Sequence, residues 1–78
     1  MRVLKSAKIV LHTNLSVIDC VVRDQSDGGL RLVVDNAMTL PNEFRLNLIS
    51  DHCQRDVAVM WRKGNQMGVA FRSLARPS

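Results

Sequence analysis

The chain has 78 residues, enough for one compact domain and too few for two separate hydrophobic cores. Hydrophobic residues make up 46% and charged residues 23%, which excludes the composition typical of disordered chains. The net charge of +4 favours an anionic partner, but the basic residues are dispersed, which argues against a polybasic membrane or nucleic-acid patch.

Six short segments have the period-two alternation and the Val, Ile and Leu content of β-strands, and none has a convincing helical period. In chain order they are residues 4–12, 16–23, 30–35, 43–49, 53–62 and 66–72. The second and third are predicted to form a hairpin around a polar turn at residues 24–29.

The remaining connections are polar. Residues 36–42 contain Leu40-Pro41, and because proline disfavours helix at the preceding residue, we predict a loop there. Residues 50–52 and 63–65 are predicted to be turns. Six strands with polar turns predict an all-β fold, a small six-stranded antiparallel β-barrel that closes to remove its edges. We expect Trp61 and Phe71 to lie in its core.

The chain is interpreted as a single domain over residues 1–78, with residues 73–78 as a flexible tail because they lack periodicity. The N-terminal residues show no uninterrupted apolar stretch and no small-residue cleavage site, so we expect no signal peptide. No run reaches the roughly 18 apolar residues that a membrane-spanning helix needs. These features predict a cytoplasmic protein without membrane insertion.

The titratable residues show no catalytic pattern. Cys20 and Cys53 lack CxxC spacing and are expected to be buried thiols, although a disulfide stays open. His12 and His52 fall at predicted strand ends, where exposed turn residues are expected. No nucleophile with a base and an orienting acid is recognisable, so we expect neither an enzyme nor a metal site.

The turn Asp24-Gln25-Ser26-Asp27-Gly28-Gly29 is the most informative part of the sequence. Asp, Ser and Gly are residues that hairpin connections need for side-chain capping and for positive φ, which explains the turn when it is taken alone. A cation site is not expected, because one short turn lacks the oxygen ligands of a calcium loop.

These features together resemble the PilZ domain family, whose barrel carries a D/N-x-S-x-x-G motif between its second and third strands. Asp24, Ser26 and Gly29 match that motif. The segments Val59-Met60-Trp61-Arg62 and Gly68-Val69-Ala70-Phe71 are similar to the family's W-R…G-V-x-F closing hairpin, and Leu40-Pro41 precedes the fourth strand as in the family. The resemblance spans most of residues 4–72.

The resemblance implies a receptor for cyclic di-GMP, a dianionic cyclic dinucleotide, in bacterial second-messenger signalling. The family binds it with an N-terminal R-x-x-x-R motif and with the D/N-x-S-x-x-G turn. By this analogy Asp24 and Ser26 bind the base and Gly29 leaves room for it. Arg2 supplies a planar guanidinium that pairs with phosphate or with a guanine edge.

The N-terminal motif departs from the family pattern, because the residue four positions beyond Arg2 is Ser6. With Arg2 in the place of the second arginine, the first would precede Met1. Lys5 and Arg23 are auxiliary ligand-binding candidates, although a lysine supplies charge without the planar fork.

Two alternatives stay open. One is a degenerate PilZ-like domain that keeps the barrel, does not bind nucleotide and acts as a protein-interaction module. The other is a small barrel that binds single-stranded nucleic acid, which the few aromatic residues on predicted core faces argue against. We therefore expect a cyclic dinucleotide ligand, a protein partner that receives the signal, no cofactor, and neither DNA nor RNA.

Overall fold

The computed structural model describes residues 2–11 and 16–72, so the predictions for His12 and for the tail lie outside the described residues. Within those ranges the chain forms six β-strands and two three-residue 3-10 helices, Ala37–Thr39 and Ile49–Asp51. The strands are β1 (Arg2–Val10), β2 (Val17–Gln25), β3 (Gly29–Val33), β4 (Glu43–Leu48), β5 (Cys53–Lys63) and β6 (Gln66–Phe71).

The strands close into an antiparallel barrel in the order β1-β2-β3-β6-β5-β4. Closure comes from the pairing of β1 with β4, which runs from Ala7 opposite Leu48 to Val10 opposite Arg45. Each of the six described strands thus has a hydrogen-bonded neighbour on both sides over at least part of its length, so none of them is an edge strand. The predicted all-β six-stranded barrel is confirmed.

Alternating side chains of all six strands fill the barrel. Ile9, Leu32, Leu46 and Met67 have no solvent-exposed surface, and no polar or charged side chain is buried among the described residues. Burial of each such large apolar side chain contributes about 1.5–3 kcal/mol. The barrel is thus stabilised mainly by an apolar interior, and its polar groups lie on the outside.

The hairpin is tighter than predicted. Strand β2 continues through Asp24 and Gln25, and β3 begins at Gly29, so the turn itself consists of residues 26–28. Asp24 therefore lies in the ladder, opposite Arg31, rather than in the turn.

The predicted loop at residues 36–42 contains a short 3-10 helix, Ala37–Thr39.

The prediction that Trp61 lies in the core is wrong, because its side chain is 44% exposed. Val59 pairs with Val69 while Trp61 pairs with Gly68, so Met60 is an extra residue in β5. Such a β-bulge shifts the inside-outside alternation by one position. The bulge therefore turns the indole to the outer surface.

Other predicted apolar positions are buried to different degrees. Cys20 is buried as expected, whereas Cys53 is only half-buried, and both are free thiols. Burial raises the pKa of the Cys20 thiol to about 12, and the nearby Asp19 carboxylate adds to the rise. Phe71 is half-buried and packs against the core, with the Arg55 guanidinium carbon 4.0 Å from its ring centroid.

Arg62 ties β5 to the connection that precedes β4. Its Nη1 donates hydrogen bonds to the backbone oxygens of Ala37, at 2.7 Å, and Leu40, at 2.6 Å. Its Nη2 donates to Oδ1 of Asn42 at 2.8 Å. One guanidinium therefore satisfies acceptors along the whole connection and holds it against the barrel.

Replacing this guanidinium should loosen the connection. We expect Arg62→Ala to lower the free energy of unfolding by about 1.5–3 kcal/mol, because two partly buried carbonyl groups lose a charged donor. Urea denaturation followed by circular dichroism measures the change. The exposed neighbour provides the control: Lys63→Ala should change stability by less than about 0.5 kcal/mol, and equal effects of the two substitutions would contradict this role.

Candidate functional site

The turn at residues 26–28 is held by hydrogen bonds from both sides. The backbone N–H and the hydroxyl group of Ser26 both donate to the backbone oxygen of Gly29, at 2.9 and 3.3 Å. The backbone N–H of Phe71, at the end of β6, donates to the oxygen of Gly28 at 3.0 Å. The turn is therefore fixed to the barrel rather than projecting freely from it.

Gly29 is required by a close approach of two strands. A Cβ at this position would lie 2.1 Å from the backbone oxygen of Val69 in β6. Positive φ is not the reason, because among glycines of the described residues only Gly64 has it. The glycine of the motif thus allows β3 to pack against β6, in addition to lining the groove described below.

Asp24 and Arg31 form an ion pair across the β2–β3 ladder. The Nε of Arg31 donates to Oδ2 of Asp24 at 2.5 Å, Nη2 contacts the same oxygen, and Nη1 donates to Oε1 of Gln66 at 3.0 Å. Both side chains of the ion pair are about one-third exposed. Sequence analysis missed Arg31 as a site residue, although the hairpin register, once β2 extends to Gln25, places it directly opposite Asp24.

An open groove of about 360 Å³, which we call the turn groove, separates the turn from the outer surface of β5 and β6. Its lining includes Asp24 and Ser26 from the β2 end and turn, and Met60 and Trp61 from β5. The indole lies directly over Gly68, where a Cβ would be 2.0 Å from Nε1. The groove thus combines apolar surface of Met60 and Trp61 with carboxylate and hydroxyl groups, which suits a planar ligand with hydrogen-bond donors on its edge.

A second groove, of about 550 Å³, lies beside the first and is called the arginine groove. It is lined by Arg2, Val3, Leu4, Arg23 and Arg31. Three guanidinium groups and no acidic side chain line it, so it attracts anions. Since Arg31 lines both grooves, the two are adjacent parts of one surface.

Five of the six predicted site residues line these grooves. The sixth, Lys5, lines neither, and its Nζ donates to Oε1 of Gln25 at 3.2 Å. On the ladder between β1 and β2, Arg2 lies opposite Asp24, which links the N-terminal arginine to the motif. The five are Arg2, Arg23, Asp24, Ser26 and Gly29.

The described residues hold neither a cluster of metal-ligating side chains nor a membrane-spanning helix. No three His, Cys, Asp or Glu side chains in residues 2–11 and 16–72 come close enough to hold a metal ion. His52 is exposed and has a positive φ of 51°, which is consistent with its position in a turn. No helix in the described part of the chain is long and apolar enough to cross a membrane.

A known protein family matches the chain. The family model for the PilZ domain matches residues 1–78. No curated protein and no solved structure matches the chain. The matched span includes the turn, both grooves and the β5–β6 hairpin.

The contact between Trp61 and Gly68 can be tested in the unliganded protein. We expect Gly68→Ala to displace the indole, because the added methyl group would overlap it, and so to shift the emission maximum of the single tryptophan. Gly28→Ala is the matched control, since a Cβ at that position has no atom within 4 Å. An unchanged spectrum in folded Gly68→Ala would show that the indole does not lie over this position.

Proposed function

This chain belongs to the PilZ domain family, and from that premise we propose that it is a cyclic di-GMP receptor, a sensor or adaptor module in bacterial second-messenger signalling without catalytic chemistry of its own. The observation that carries the proposal is the adjacency of the two grooves at Arg31. One groove offers groups for a planar base, and the other offers cationic groups for phosphate.

The turn groove supports the guanine part of the proposal. A guanine presents N–H donors on its Watson–Crick edge, and the Asp24 carboxylate is an acceptor for them. The Ser26 hydroxyl group adds a further hydrogen-bonding group. The outward indole of Trp61 offers a face on which a base can stack, an interaction worth about 1–3 kcal/mol in comparable sites.

The arginine groove supports the phosphate part. Cyclic di-GMP carries two phosphate groups, and guanidinium groups bind phosphate oxygens bidentately. Arg2 is the first residue of β1 and is exposed, so its side chain is accessible to a ligand. With Arg23 on the neighbouring strand, it supplies positive charge directly beside the turn groove.

The output of such a module requires a second protein. Because the proposed function is binding alone, ligand occupancy changes cell behaviour only through a partner that contacts the barrel and responds to the bound state. The proposal therefore includes a protein partner, and it places the protein in the cytoplasm, where nucleotide second messengers are made.

A second candidate is a degenerate domain that keeps the barrel and acts by protein interaction without nucleotide. Two observations favour it. Ser6 stands four residues beyond Arg2, so no R-x-x-x-R motif begins at Arg2. In addition, the carboxylate of Asp24 is already paired with Arg31, and a ligand must share it or displace the guanidinium.

Titration calorimetry with cyclic di-GMP distinguishes the two candidates. We expect saturable heat with the wild-type chain and an affinity about tenfold to a hundredfold lower for Asp24→Ala, because a charged acceptor for the base is removed. Asp19→Ala is the matched control, since Asp19 lies on the same strand and is also paired, at 2.5 Å to Lys8, but lines neither groove.

The control should bind as the wild type does. Absence of heat from wild-type protein at high ligand concentration would contradict the receptor proposal and support the degenerate domain. Equal weakening by Asp19→Ala and Asp24→Ala would show that the ligand does not bind at the turn.

A further inference from the structure

Arg31 occupies the one position shared by the turn groove and the arginine groove. We propose that Arg31 supplies a second arginine fork of the ligand-binding site, beside that of Arg2, and that it binds a phosphate group of the cyclic dinucleotide. This inference rests on the proposed function and assigns a ligand-binding role to a residue outside both family motifs.

The guanidinium of Arg31 retains donors for a ligand. Of its five N–H groups, Nε–H and one on Nη2 face Asp24, and one on Nη1 faces Gln66. Among the described residues, the other two N–H groups have no hydrogen-bond acceptor, and one of them is on each terminal nitrogen. Each of these two N–H groups can donate a charge-assisted hydrogen bond to a phosphate oxygen.

The contacts with Asp24 and Gln66 orient the guanidinium and leave these two N–H groups available to a ligand. Asp24 holds one side of the guanidinium and Gln66 holds Nη1, so few side-chain rotamers remain to be lost when a ligand binds. The pair is partly exposed, with Arg31 at 33% and Asp24 at 35%, and it remains accessible from solvent. A phosphate thus meets an arginine that is already positioned.

The backbone of Arg31 is better fixed than that of Arg2. Arg31 is paired on both sides, opposite Asp24 in β2 and opposite Gly68 in β6. Arg2 is the first residue of β1 and is paired on one side only, with Asp24 in β2, because the β1–β4 pairing begins at Ala7. The backbone of an arginine that is hydrogen-bonded between two strands is held in place by both of them. The position of an arginine at a strand end depends on whether that end stays paired.

The test separates the planar fork from the positive charge. Arg31→Lys keeps a cation opposite Asp24, so the barrel should stay folded, but it removes the planar set of guanidinium donors. We expect calorimetry to show an affinity for cyclic di-GMP about tenfold to a hundredfold below that of the wild type. Arg45→Lys is the control, because Arg45 is paired with Asp56 at 3.2 Å in a ladder remote from both grooves.

The outcomes distinguish this inference from the function on which it rests. Wild-type protein that binds no cyclic di-GMP overturns both. Wild-type binding with unchanged affinity in Arg31→Lys overturns only the role of Arg31. If Arg31→Lys fails to fold, the arginine side-chain NMR spectrum of the wild-type protein tests the inference instead. The Nε–H signal of Arg31 should shift on titration with cyclic di-GMP, while that of Arg45 should stay unchanged. An unchanged Arg31 signal during saturable binding contradicts the inference.

Discussion

The candidate site depends on the position of β3, which is hydrogen-bonded to β2 on one side and to β6 on the other. The first register places Arg31 opposite Asp24, and the second places Arg31 opposite Gly68. A slip of one residue in either ladder would turn these side chains to the other face of the sheet. The close approach of Gly29 to the backbone of Val69 helps to exclude such a slip, because it brings the strands together at one defined position.

A β-bulge in the β5–β6 ladder adds an aromatic ring to the turn groove. The bulge at Met60 brings Trp61 to the outer face opposite Gly68, and the glycine leaves the space that the indole fills. Because of the bulge, the Trp61 ring does not pack in the core but lies exposed in the groove. Bulges commonly redirect a side chain beside a functional site, and here the redirected residue lines the same groove as the motif residues Asp24 and Ser26.

The sequence was sufficient for the barrel, because period-two patterns such as Phe44, Leu46 and Leu48 are set by which face is buried. It was not sufficient for Trp61, since the apparent alternation continues through the bulge and an extra residue changes register without changing composition. Arg31 was missed because its partner depends on where the turn begins. The bulge at Met60 and the position of Arg31 opposite Asp24 are set by how neighbouring strands pair, and the alternation pattern within one strand carries no information about that pairing.

The central claim is that a cyclic dinucleotide binds between the turn and the outer face of β5, and Trp61 reports on that location directly. It is the only tryptophan in the chain and it lines the turn groove. Titration of the wild-type protein with cyclic di-GMP should change its emission in a saturable manner, with the same midpoint as the heat of binding. Saturable heat with unchanged tryptophan emission would place the ligand elsewhere and contradict the claim.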